Sequence, residues 1–497
     1  MVQINAGRRT FHARDFVRLG CMVVLGASAL GMLFVAENQG EVLLIALSVL
    51  AAFLPMIPML AKRKYCAFEP ATAVLALVLF FVTAKTWMIL ALDNSSVHVQ
   101  NVLLLGYDTS VLQKGLLAMV VAFAAFNVGY LIRLPRIRMN TLLMTNRHQW
   151  DSKRLMIICL AICLVSFVTF VLLMRTVGFS MGDSLSAKRF TSDGAGGAER
   201  MFQVSYLYYR LAAFSKFAFY LLLCDLLQKR RSCFTLQGML LVLTAMQSVA
   251  VPFFINNRAG IVLLLIDVIV ILYFVRPRLL VPACVIGGAL VAALLVVTLV
   301  SRKSDGAQIS PSILVEQTLG GRDLMDISKS AHIVNAVPGQ VGYVYGETLW
   351  GWVAAPVPSS IWPTKPMWAA RGKYLMHKVF GNLAGDSGMP PGLIPELFWN
   401  LGWYGVVIGM FSFGAIAQLI FKAFEPFQHH ISSVLIYSLL INRFVLFSLG
   451  NDLGTGIVKS GLDIVPMMFL ILLVATRKKK AESYGYGTTP TPGLQTA

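Results

Sequence analysis

Long apolar runs, one after another, decide what this chain can become. Runs near 16–36, 41–60, 70–92, 114–132, 155–174, 203–227, 234–254, 259–275, 280–300, 397–421, 431–449 and 455–475 are each dominated by apolar residues, and about 20 such residues cross a hydrocarbon core. The runs are unbroken and do not alternate, which excludes a membrane β-barrel. Helices remain, because their backbone hydrogen bonds close within each segment. Composition agrees: 57% of residues are hydrophobic, 13% are charged and the mean hydropathy is +0.72, against about 25% charge in soluble domains. The expectation is an all-α polytopic membrane protein of about twelve transmembrane helices.

The formal net charge of +19 would suggest nucleic acid in a soluble protein, but its placement gives topology instead. Lys and Arg gather at Arg8, Arg9 and Arg14; Lys62 to Lys64; Arg133 to Arg154; Lys229 to Arg231; Arg276 and Arg278; and Arg477 to Lys480, each beside an apolar run. With twelve spans, all of these clusters fall on one side, the pattern of positive-inside orientation. Both termini are then cytoplasmic. The polar stretches 93–113, 175–202 and 302–396 lie on the other face, the periplasm of a bacterium. The chain divides into helices one to nine (1–300), one large periplasmic loop (301–396), helices ten to twelve (397–476) and a polar tail (477–497) expected to be disordered.

Basic residues are not interleaved with aromatic ones in a soluble patch, so nucleic acid is not an expected partner. The seven cysteines avoid the long loop, and no pair of Cys-x-x-Cys motifs occurs, so neither a disulfide framework nor a structural zinc is expected. No internal repeat is visible, which speaks against a transporter built from inverted repeats.

Within the long loop, Pro311 to Val334 reads as a helix at the membrane interface, broken by Gly320 and Gly321. The next piece, GYVYGETLWGWVAAPVPSSIWP, is aromatic and should dip to headgroup level. Charges inside spans need a reason, since each costs about 2.5 to 3.5 kcal/mol at a helix centre. Lys85, Arg210, Lys216, Asp267, Arg443, Lys459 and Asp463 are of this kind. Lys459 and Asp463, four apart, have the ordinary reading of a pair on one helix face. Lys85 and Lys216 have that of snorkelling or pairing, and Asp267 that of satisfying a neighbouring helix. Arg210 and Arg443 should face an interior cavity, where a guanidinium fork suits phosphate. Arg258 stands in a tight connection, followed by Ala and Gly that admit close approach; its ordinary reading is an interfacial anchor. Arg322, Asp323 and Asp326 read most simply as a salt-bridge cluster, and His332 as structural. Glu396 opens the tenth helix, either as a carboxylate stabilised by the helix dipole or as a general base at the membrane surface.

Three stretches carry a resemblance. NNRAGIVLLLI, PVPSSIWPTKP and PELFWNLGWYGVVIG resemble, in that order and around one large outer loop, motifs of bacterial oligosaccharide repeat-unit polymerases of the O-antigen and enterobacterial common antigen type. The segment MWAARGKYLMHKVFGNLAGDSGMPPG is longer and more basic than expected for the common antigen enzymes. The resemblance implies a GT-C-like membrane glycosyltransferase of the bacterial inner membrane. It would need no metal or other cofactor, and would act on undecaprenyl-diphosphate-linked glycans at the periplasmic face. It implies a flippase and a chain-length regulator as partners. Arg258, Arg210, Arg322 and Arg443 would hold the diphosphate, and Lys365 glycan or phosphate. Glu396, then Asp323 and His332, would act on the acceptor hydroxyl. The alternatives are an O-antigen ligase, which shares the loop and its arginines, a lipid-linked glycan flippase, and a membrane scaffold.

Overall fold

The computed structural model describes residues 22–62 (except 24, 35 and 37), 66–91, 108–134, 148–176, 207–229, 234–254, 258–300, 325–354 and 390–477, with 357, 362, 364, 378 and 379. The helices are α1 (Gln39–Ala61), α2 (Pro70–Ala91), α3 (Thr109–Leu131), α4 (Ser152–Thr176), α5 (Leu207–Lys229) and α6 (Leu236–Phe254). They continue with α7 (Arg258–Val275), α8 (Leu280–Val300), α9 (Ile327–Ala336), α10 (Leu393–Phe424), α11 (Ile431–Gly450) and α12 (Leu453–Val474). The described residues hold nine helices long and apolar enough to cross a membrane, and two shorter apolar helices in the α7 and α8 region. Residues 22–23 and 25–33, within the first apolar run, are helical. The chain is thus a helical, multi-pass membrane-type protein. One short ladder stands apart, pairing His148–Trp150 antiparallel with Ala475–Arg477.

Helix starts carry the expected caps. Asn38, Asp108, Asp326 and Asp452 each accept a backbone N–H of the first turn, in α1, α3, α9 and α12, satisfying donors that the helix leaves unpaired. Helix centres are held by size. A Cβ on Gly129 of α3 would lie 1.9 Å from the Phe411 carbonyl oxygen of α10, and one on Gly414 would lie 2.2 Å from that of Phe126. Hydrogen at these positions lets α3 and α10 touch backbone to backbone, the device by which small residues drive association in lipid.

The helices run up and down between two ends. Lys62, Glu69 and Tyr130 meet at one, where Lys62 reaches Glu69 at 2.6 Å and the Tyr130 hydroxyl donates to it at 2.8 Å. Arg276 and Lys422 donate to carbonyls at that end, those of Leu227 and Leu134. The opposite end carries residues 325–354 and is called the loop end below.

The loop helix departs from the sequence expectation. Only its part from Met325 is described, and α9 is enclosed by protein: Met325, Ile327 and Ile333 are buried, and α9 packs on α3 and α10. A Cβ on Gly115 of α3 would sit 2.7 Å from Ala331, so α9 presses directly on α3. Lys85 of α2 reaches the Asp326 carboxylate at 2.5 Å with both side chains buried, so α9 is moored by charge as well as by packing. In the aromatic segment after it, Tyr345, Trp350 and Trp352 are exposed at the loop end.

α10 is broken. Leu401 and Gly402 leave helical geometry, Gly402 at φ 62°, a conformation glycine adopts without steric penalty. The break frees carbonyls, and the loop takes them: Val344 and Tyr345 donate to the Trp399 and Asn400 carbonyls, each at 3.2 Å. The Asn400 side chain accepts from Gly346 N–H at 2.7 Å and donates to Thr348 Oγ1 at 2.7 Å.

Candidate functional site

Four spans bring ionisable groups to one level. Arg443 of α11 donates Nε to Asp463 of α12 at 2.6 Å and Nη2 to Asp267 of α7 at 3.1 Å. Lys216 of α5 reaches Asp463 at 2.5 Å. The Tyr220 hydroxyl of α5 donates to Asp267 at 2.6 Å, and Asn442 Nδ2 donates to it at 2.8 Å. Counting along each helix from its loop-end terminus, these charges lie about 9 to 15 Å below that end at 1.5 Å per residue.

Local backbone explains why two consecutive residues converge on one carboxylate. Ile441–Leu446 is a π-helical turn inside α11. Such turns rotate successive side chains less than an α-helix does and recur at functional sites. Asn442 and Arg443 therefore share Asp267. The close seating of α12 on α11 is permitted by Gly456, where a Cβ would fall 1.7 Å from Ser448 Oγ. That seating places Lys459 over the Phe447 ring, 3.7 Å from its centroid.

Burial separates the members. Asp267 is fully enclosed and Arg443 is 5% exposed, whereas Arg210, Lys216 and Lys459 are partly exposed. Arg210 lies on α5, six residues before Lys216. Lys216 and Arg443 thus face two carboxylates, and Lys459 lies one turn before Asp463 on α12. Arg443 Nη1 is buried and has no hydrogen-bond partner among the described residues. A guanidinium nitrogen without an acceptor, close to the partly exposed Lys216, is suited to an anion such as phosphate.

Glu396 is fully buried in the first turn of α10, and its Oε2 accepts the Leu453 N–H at 2.9 Å. It thereby grips the start of α12, six residues and about 9 Å above Lys459. His332 is half-buried on α9. Arg258 opens α7, and the course of its side chain is outside the described residues. Arg322, Asp323 and Lys365 lie outside them altogether, as does the tail 478–497. Of the residues singled out for phosphate, the structure places Arg443 in the ion-pair network, and Arg210 lies on α5 toward the loop end from Lys216.

One sequence reading is corrected and another sharpened. Lys459 faces the Phe447 ring, while Asp463 pairs with Lys216 and Arg443, because the cations of two neighbouring helices reach Asp463 at hydrogen-bond distance. Asp267 does satisfy a neighbouring helix, but as the fixed counter-ion of Arg443. Tyr220 and Asn442 were not anticipated. The signal for Asn442 was an amide beside an arginine in the middle of an apolar run. Among the described residues, no group of three or more His, Cys, Asp or Glu side chains is placed to hold a metal ion. In comparisons with known proteins, no family model, curated protein or solved structure matches the chain.

Proposed function

We propose that the protein is a membrane glycosyltransferase that polymerises undecaprenyl-diphosphate-linked oligosaccharide repeat units into a surface polysaccharide at the periplasmic face of the inner membrane. The observation that carries this reading is the gathering of Arg443, Lys216 and Lys459 beside Asp463, with Arg443 Nη1 buried and lacking a hydrogen-bond partner among the described residues. In the reaction, an acceptor sugar hydroxyl attacks the anomeric carbon of the lipid-linked glycan. The bond from that carbon to phosphate breaks, and undecaprenyl diphosphate leaves with the electron pair. Negative charge grows on the leaving oxygen, and Arg443, Lys459, Lys216 and Arg210 are set to stabilise it. Arg258, Arg322 and Lys365 are assigned to the same diphosphate and glycan from the sequence resemblance alone. Glu396 takes a positioning part, because its carboxylate is enclosed and already holds α12. Proton removal falls to Asp323 or His332.

A second reading has its own support. Ionisable residues paired across four spans are also what an ion-coupled transporter of lipid-linked glycan carries. The deciding experiment reconstitutes the full chain in liposomes with a lipid-diphosphate-linked repeat unit. The polymerase gives a ladder of lengthened glycans and free lipid diphosphate, and Arg443→Met abolishes both. Transbilayer movement of substrate without any ladder would replace this reading with the transporter. Transfer only to a lipid A core would replace it with the ligase.

A further inference from the structure

The two carboxylates of the ion-pair network are built differently. Asp267 is enclosed and uses both oxygens: Oδ1 accepts from Asn442, and Oδ2 accepts from Tyr220 and Arg443. Two of its three donors are neutral and belong to no phosphate site, so Asp267 is a permanent fixture. Asp463 is bonded only to cations, Lys216 through Oδ1 and Arg443 through Oδ2, and its side chain is 10% exposed beside a Lys216 that is 23% exposed. Its partners are therefore the groups a phosphate would seek.

We infer that Asp463 is an exchangeable internal counter-ion that sets the ligand specificity of the network: an incoming phosphate takes its place on Lys216 and Arg443. The inference rests on the reading that this network takes phosphate. A single carboxylate charge, held at 2.5 and 2.6 Å, competes well against a ligand of one negative charge and poorly against one of two or three. Ordinary phospholipids present a phosphodiester with a single charge and are abundant in any membrane. A diphosphate carries more charge and more acceptor oxygens. Once Asp463 turns aside, Lys216 Nζ and Arg443 Nε join the unused Arg443 Nη1 and Lys459 as donors around it. Asp463 thus excludes the common anions by competition, which is specificity by a repulsive and competing element as well as an attractive one.

Calorimetric titration of the full chain in an uncharged maltoside detergent tests this, with inorganic pyrophosphate and diethyl phosphate as probes. Wild-type protein should bind pyrophosphate and ignore diethyl phosphate. Asp463→Asn should bind pyrophosphate at least tenfold more tightly and acquire affinity for diethyl phosphate. A carboxylate that merely braced the two cations would give the opposite sign, weaker binding of both, and a folded Asp463→Asn with unchanged or reduced affinity overturns the inference. Failure of wild type and variant alike to bind pyrophosphate removes the phosphate reading instead. If Asp463→Asn does not fold, infrared difference spectra of wild-type protein carrying carboxyl-labelled aspartate decide. Pyrophosphate should shift an aspartate carboxylate band, and its absence on binding overturns the inference.

Discussion

Replacement of Arg443 by methionine isolates the charge at the centre of the network. Methionine keeps an unbranched side chain, so packing changes little. The guanidinium loses its bonds at 2.6 Å to Asp463 and 3.1 Å to Asp267. Removing one partner of a buried pair costs about 3 to 5 kcal/mol, because the other charge is left in a poor solvent. Here the loss is partly cushioned. Asp463 keeps Lys216, and Asp267 keeps the Tyr220 hydroxyl and the Asn442 amide, each hydrogen bond to a carboxylate contributing about 1.5 to 3 kcal/mol. The expected cost is therefore near the lower bound, about 3 kcal/mol. Asp267→Asn in the same chain discharges the stranded carboxylate, so the double variant should recover about 2 kcal/mol relative to the sum of the singles. Unfolding by a denaturing detergent, followed by tryptophan fluorescence, measures all four proteins. A single-variant cost under about 1 kcal/mol, or strict additivity in the cycle, would refute the account of Asp267 as fixed counter-ion.

Gly129→Val should separate α3 from α10 and destabilise by about 1 to 3 kcal/mol in the same assay, whereas Gly288→Ala, with nothing within 4 Å of its new Cβ, should be neutral. Lys85→Met should unmoor α9 by leaving Asp326 buried without its cation, read as faster proteolysis of the long loop in folded protein. Asp108 accepts from Ser110 and Val111, and bonds to Ser110 above all hold its carboxyl below the usual carboxylate range. A lowered native pKa gives stability that is present above the unfolded value and lost as pH falls through the native one. Hydrogen exchange at the Ser110 and Val111 amides should therefore rise at acid pH relative to Asp108→Asn, which does not titrate.

The spans were legible because apolar length is a local property: most described helices lie within a few residues of their runs. Arg443 and Arg210 were legible for a related reason, since a charge in an apolar run must be answered by something. The partner was not legible. Lys459 and Asp463 stand four apart on one helix, which suggested a pair, and only the packing of α5 and α11 on α12 shows that Asp463 is engaged elsewhere. α9 was misplaced for the same cause. Its alternation of apolar and charged positions suits a bilayer surface, but Asp326 and Lys329 are buried, and Lys85, which partners Asp326, comes from a helix far earlier in the chain. Arg322, Asp323 and Lys365 stay with the sequence argument alone.

The break in α10 makes that helix a two-piece lever. Its short arm, Leu393 to Asn400, is stitched to residues 344–348 of the loop through Trp399 and Asn400, and Glu396 on the same arm grips Leu453. The long arm beyond Gly402 is fixed against α3 by glycine contacts. A pull on the loop is therefore transmitted through the short arm, without crossing the pivot, to the first turn of α12 and along it toward Lys459 and Asp463. Under the proposed function, this arm would couple engagement of a glycan by the loop to the hold on phosphate inside.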